Sequence, residues 1–266
     1  MSVKSILLKI YNWGFLPKDK VDENQRKIRE VEWDAVKPYI PPKSKFLDVG
    51  CGAGYSMKKA CIELDCECYG IDPMPGGHGV GRYSELDSSL NIFQGVSEKI
   101  PFESNSFDVV YSSHVLEHVD DEHKSLHEMK RVLKDDGVLI IGMPTAFMAH
   151  INNISQIIFT THQRVFNVLF GWFPIIRTSN TAFINMFVPV SHSCPRAKTV
   201  LYDMFHYRIK TWKRIVEQEF IIQQVLLPAS YPYPEYRQLF GMRKNGRMSS
   251  SVFFVCIKKL YPESFK

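Results

Sequence analysis

The stretch Phe46-Leu47-Asp48-Val49-Gly50-Cys51-Gly52-Ala53-Gly54-Tyr55 decides the fold. Its first part, Lys45–Val49, reads as a short buried strand. The strand runs into a turn with glycine at alternate positions. Glycine tolerates positive φ and lets a ligand approach the backbone closely. Residues 55–64 suit a helix, whose first N–H groups have no partner within the helix and can face a polar or anionic ligand. The spacing is GxGxG, not the GxGxxG of many dinucleotide sites. A second strand at 66–71 closes on Tyr69-Gly70-Ile71-Asp72-Pro73. Asp72 thus lies about twenty residues beyond the turn, the reach expected of a carboxylate that accepts from both hydroxyls of a ribose.

Working outward, strands fit 91–94, 107–112 and 137–143, with a helix over 121–133 that begins in Asp120, Asp121 and Glu122. Acids suit a helix N-terminus. Residues 207–219 suit a helix with Trp212, Ile215 and Val216 on one side, and 220–227 and 251–258 are two further strands. The Pro- and Tyr-rich stretch between them reads as a long loop. Strands separated by helical patterns imply βαβ units. The fold class is therefore α/β, a doubly wound, mainly parallel, seven-stranded sheet with an insertion after the fifth strand. Four parts follow: an N-terminal helical segment (1–42), a cofactor-binding core (43–144), an aromatic-rich insertion (145–205) and the C-terminal part of the sheet (206–266). The first part holds a helix over 22–39, with Ile28, Val31, Val36 and Tyr39 as buried positions, broken by Pro41 and Pro42. Residues 1–20 carry apolar groups at helical spacing among lysines. They read as a helix packed on its own domain, with a membrane-surface helix as the alternative. The insertion reads as the lining of an apolar acceptor pocket, a cap over the cofactor, a surface that rests on lipid, or a plain structural subdomain.

The 266 residues, 45% hydrophobic and 23% charged, suit a globular domain and exclude disorder. The net charge of +5 is spread along the chain, without the dense basic footprint of a nucleic-acid enzyme, so no nucleic-acid partner is expected. Six cysteines occur without a CxxC pair, which favours reduced thiols and a cytoplasmic setting over a zinc or disulfide framework. The N-terminus lacks the features of a cleaved leader, and no apolar run is long enough to span a bilayer.

Four ordered motifs carry a family resemblance: FLDVGCGAG at 46–54, YGIDP at 69–73, FQGVSEKIPFESNSFDVVYSSHVLEHVDD at 93–121 and RVLKDDGVLIIGMP at 131–144. Together they resemble the class I S-adenosylmethionine-dependent methyltransferases, in the style of their small-molecule group. The resemblance implies S-adenosylmethionine as cofactor. It places Asp48, Gly50, Gly52 and Gly54 at its methionine part and Asp72 at the ribose. Pro73 and Met74 would border the adenine, Gly95, Val96 and Ser97 would lie at its edge, and Ser112, Ser113 and His114 would face the sulfonium. Many relatives carry an acid where Val96 stands, so a side-chain contact to the adenine amino group is missing here. On this reading Asp72→Ala should sharply weaken cofactor binding and leave the fold intact.

Methyl transfer to oxygen benefits from a base, and histidine is the first candidate. His114, His192 and His206 are the base candidates, each also readable as structural. The expected acceptor is a small molecule, lipid or saccharide, methylated at oxygen, with peripheral membrane contact a further option. His114-Val115-Leu116-Glu117-His118 has the HxxEH spacing of inverted zinc peptidases. Its surroundings are ordinary for methyltransferases, and no metal is expected. The cluster Gly76–Gly81 comes too late for a ligand turn and reads as a loop. The alternatives are a cofactor-binding scaffold without turnover, or an NAD-dependent oxidoreductase.

Overall fold

In the computed structural model, residues 9, 12–77, 80, 87–170, 200–237, 239–244 and 248–259 are described. Helix α1 (Lys18–Val36) leads by a 3₁₀ turn at Lys37–Tyr39 into β1 (Lys45–Val49), α2 (Tyr55–Leu64), β2 (Glu67–Asp72) and β3 (Asn91–Gln94). Next come β4 (Phe107–Ser113), α3 (Glu122–Val132), β5 (Leu133–Pro144) and α4 (Ala146–Phe170). The remaining described elements are α5 (Val200–His206), α6 (Ile209–Val216), β6 (Phe220–Leu226), β7 (Ala229–Ser230), β8 (Arg243–Lys244) and β9 (Ser251–Lys258).

The seven-stranded sheet has the order β3-β2-β1-β4-β5-β9-β6. Strands β1 to β5 pair in parallel, while β9 runs antiparallel to both β5 and β6. The chain winds outward from β1 to β3 and then returns to β4 on the other side of β1. That reversal makes the carboxyl ends of β1 and β4 the topological switch point, where open α/β sheets bind ligands. The central strands β1, β4, β5 and β9 are buried on both faces because helices cover both. Successive residues therefore enter opposite cores. Leu47, Val49, Val110, Leu139, Ile141, Trp212 and Phe254 share one core. Phe46, Val109, Tyr111, Ile140 and Phe253 share the other, with Trp33 and Met57.

Local chemistry sets the boundaries. Asp121 caps α3 by accepting from the backbone N–H groups of His123 and Lys124 at 3.0 Å each. The fifth strand begins at Leu133, four residues earlier than the sequence pattern suggests, because Leu133 pairs with Phe107 ahead of a bulge. The helix expected at 207–219 is the shorter α6, which begins after the extended residue Arg208, and α5 precedes it as a separate helix. The expected long loop contains the β7–β8 pair. The second helix begins at Lys18 and turns 3₁₀ at 37–39, leaving Tyr39 half-buried rather than buried. Half of the stretch expected as a helix over 1–20, and the insertion's 171–199 stretch, lie outside the described residues; the described residues 12–17 form a turn and a bridge from Phe15 to Tyr236 rather than a helix. Among the described residues no helix is long and apolar enough to cross a membrane.

Candidate active site at the switch point

A cleft of about 270 Å³ opens at the carboxyl ends of β1 and β4. One wall is the glycine turn, with Asp48, Gly50, Cys51 and Gly52. The others come from α1 (Gln25, Ile28, Arg29), from the end of β4 (Tyr111, Ser113, His114), and from the Tyr231–Pro234 segment together with Met148. Gly50, Gly52 and Gly54 have φ of 78°, 55° and 79°. All three lie in the left-handed region that glycine adopts without strain, which leaves the backbone of the turn bare toward a ligand. Gly54 holds this conformation just before α2, with Leu90 and Ile92 behind it rather than the cleft.

Asp48 is 3% exposed and lies on the cleft wall. Burial, reinforced by the neighbouring Asp72 and opposed by Arg29, pushes its carboxyl up to about 8. The unfolded chain ionises this group near pH 4, so folding stability falls as pH rises from about 4 to 8, at most about 1.4 kcal/mol per pH unit. Asp48→Asn should therefore unfold at higher urea than the parent at pH 8 and lose that advantage toward pH 4. Parallel slopes for the two proteins would refute the buried-acid assignment. A cationic group entering the cleft would favour the ionised form.

Asp72, 4% exposed, accepts from the N–H of Gly52 at 2.9 Å and of Met74 at 2.8 Å. It thus ties the end of β2 to the glycine turn. Two acceptor positions of the carboxylate remain, since a carboxylate offers about four. Beside it, Met74 and Val96 are 52% and 46% exposed, apolar groups bared at the sheet edge where a flat base could lie. Pro73 is exposed, and its carbonyl accepts from Gln94. Gly95 donates its N–H to the Asp72 carbonyl at 3.1 Å. Ser97 is buried against Ser125 at 2.9 Å. Ser112 is also buried, donating to the Val49 carbonyl at 3.1 Å, so its hydroxyl locks β4 to β1. Ser113 does face the cleft. The bare glycine turn, the acid on its wall and the spare acceptor positions of Asp72 fit the two polar ends of S-adenosylmethionine. Asp48, Gly50 and Gly52 would hold its amino-acid part, and Asp72 its ribose.

The histidines separate. His114 has φ 57° and lies on the cleft wall, its N–H bonded to the Gly142 carbonyl at 2.8 Å. Its Nε2 is 3.1 Å from Glu32 Oε1 and its Nδ1 3.5 Å from Glu117 Oε1. His206 is not brought to the cleft. It bonds Glu122 at 2.7 Å and stacks on Tyr202, between α3 and α6. Its packing between Glu122 and two aromatic rings accounts for its place. His192 lies outside the described residues. The HxxEH segment forms a left-handed residue followed by a 3₁₀ turn at Leu116–His118, not the α-helix that spacing needs to align two histidines. Among the described residues no cluster of His, Cys, Asp or Glu is placed to hold a metal ion.

Sequence reasoning missed Glu32, Arg29 and Tyr231. Glu32 is 1% exposed and accepts from Arg29, from Tyr231 at 2.8 Å and from His114. A signal existed: Ile28, Glu32 and Val36 recur at four-residue spacing, which puts an acid on the buried stripe of α1.

Residues 47–141 match the family model described as a methyltransferase domain. This segment belongs to the class I S-adenosylmethionine-dependent methyltransferases. The chain is 32% identical over 122 residues to ajmaline N-methyltransferase of Rauvolfia serpentina, covering 44% of this chain and 42% of that one. It is 31% identical over 116 residues to a tRNA U34 carboxymethyltransferase of Aeromonas hydrophila, covering 41% and 35%. The chain thus spans less than half the length of these curated relatives. A solved S-adenosylmethionine-dependent methyltransferase of Thermotoga maritima shares the fold, with 18% identity, a TM-score of 0.51, and coverage of 88% of this chain and 91% of that one. The cofactor of the methyltransferase domain is S-adenosylmethionine.

Proposed function

We propose that this protein transfers the methyl group of S-adenosylmethionine to a small molecule bound in the switch-point cleft. One observation carries the reading: the glycine turn, Asp48, His114 and the Tyr231–Pro234 segment line a single cavity, so the methionine end of the cofactor and an acceptor would share one desolvated space. The bound cofactor supplies an already activated methyl group, so the protein's task is positioning and exclusion of water. The glycine turn and Asp48 would fix one reactant, and the wall formed by Tyr231, Tyr233 and Met148 the other.

An oxygen nucleophile, expected from the sequence, needs a base. Both ring nitrogens of His114 face carboxylates, His118 Nε2 lies 3.9 Å from Glu117, and His206 is elsewhere. This arrangement favours a nucleophile that carries a lone pair without prior deprotonation, such as a neutral amine nitrogen. The name of the Rauvolfia relative, an N-methyltransferase, is consistent with that class.

The test is transfer of labelled methyl from S-adenosylmethionine into a metabolite extract and a total RNA preparation. Label should enter amine-containing small molecules and be lost in Asp72→Asn. Label confined to RNA would overturn the small-acceptor reading, and no transfer to either fraction would overturn the proposed activity.

A further inference from the structure

Across the cleft wall runs a line of alternating charges. Arg29 and Glu32 come from α1, His114 from the end of β4, and Glu117 and His118 from the 3₁₀ turn beyond it. Glu32 is the junction, where Arg29, His114 and Tyr231 meet on one buried carboxylate. The other end is unusual. Glu117 is 1% exposed, and neither carboxylate oxygen has a hydrogen-bond partner among the described residues. An ionised carboxylate so placed is strongly disfavoured unless a cation lies beside it. His114 Nδ1, at 3.5 Å, lies closer to it than His118.

We propose that Glu32 is a positioning residue of the methyl-transfer site: with Glu117 it clamps His114 as a fixed imidazolium on the cleft wall, so that His114 serves as a structural cation and not as the base. The inference rests on the methyl-transfer reading for the purpose of the cleft. The geometry leaves no ring nitrogen directed at an acceptor. Among the buried groups, Arg29 and protonated His114 balance Glu32 and Glu117, while His118 lies farther from Glu117 and at the exposed rim. Burial and the Arg29 charge work against protonation of His114, but the two carboxylates outweigh them and its titration moves upward. Burial likewise opposes ionisation of Glu32, and Arg29 and His114 hold it well below the usual carboxylate range. Other ionisable groups facing this region are Tyr111 of β4, Asp48 of β1, and Asp203 of α5, which lines a small cavity shared with His114. Because Glu32 belongs to α1, the wall is complete only when that helix is docked.

The test is a proton-detected NMR titration of ring-labelled histidine in the full chain, with His114 assigned by His114→Gln. In the parent, the His114 midpoint should lie above the ordinary histidine value of about 6.5. In Glu32→Gln its midpoint should fall by about one pH unit or more. Tyr231→Phe, which keeps the carboxylate and removes a competing donor, should leave the midpoint unchanged or higher, and it decides the matter should Glu32→Gln not fold. A parent midpoint at or below about 6.5 would overturn the proposal. So would an unchanged midpoint in a folded Glu32→Gln, or a fall in Tyr231→Phe. The titration needs no turnover, so its failure is distinguishable from failure of the labelled-methyl assay.

Discussion

Asp72→Ala is expected to weaken S-adenosylhomocysteine binding by about 100-fold, the loss of two hydrogen bonds to a charged acceptor at about 1.5 kcal/mol each. Calorimetric titration measures this directly. The same substitution should also destabilise the ligand-free protein, contrary to the expectation from sequence alone. Its carboxylate satisfies the N–H groups of Gly52 and Met74, and alanine leaves both without that acceptor. Each such loss costs about 1–3 kcal/mol, partly offset by removing the repulsion between Asp72 and Asp48. A net loss of about 2 kcal/mol, read from urea unfolding, is the expected balance. Asp72→Asn keeps a carbonyl acceptor for one of the two N–H groups, so it should lose most of the binding and less of the stability. Unchanged affinity in Asp72→Ala would end the ribose assignment.

The second large effect is expected at Gly50. Its φ of 78° is strained for any residue with a Cβ, and a Cβ built there would come within 2.2 Å of Val115 Cγ2. The left-handed conformation costs about 1–2 kcal/mol, and displacing a packed side chain costs a further 1–3. Gly50→Ala should therefore lose about 3 kcal/mol and lower the melting temperature by roughly 6–12 °C. Because Val115 is joined directly to His114, relief of the overlap should also disturb the cleft wall. Gly241→Ala is the control: nothing lies within 4 Å of a Cβ there, and no change beyond about 0.5 kcal/mol is expected. A Gly50→Ala protein as stable as the control would show that the turn tolerates a side chain.

Much of this fold is legible along the chain because its signals are local. Strand β1 reads as buried because its apolar run meets helices on both faces, and the glycine turn reads as a ligand turn because alternate glycines have few other uses there. Asp121 announces the start of α3 through its own side chain. What spacing cannot show is closure over distance. Tyr231 meets Glu32 across 199 positions, from a stretch that reads only as a Pro- and Tyr-rich loop. His114 looks like a base until the carboxylates on either side of it are seen, and those arrive from separate elements. His206 looks equivalent to His114 in sequence, yet Glu122 and two aromatic rings hold it against α3 and α6. Glu32 was within reach, since an acid on an apolar helical stripe signals a buried partner.

Strand β9 sits in the interior of the sheet, between β5 and β6, although it follows both of them, and every other described strand, in sequence. While the ribosome is still making residues 251–258, β5 must present a bare row of amide and carbonyl groups to whatever is nearby. Such an edge recruits foreign strands. The nascent polypeptide is thus prone to aggregate until residues 251–258 are in place, and a chain stalled short of residue 251 should collect in inclusion bodies, whereas one that includes them should not.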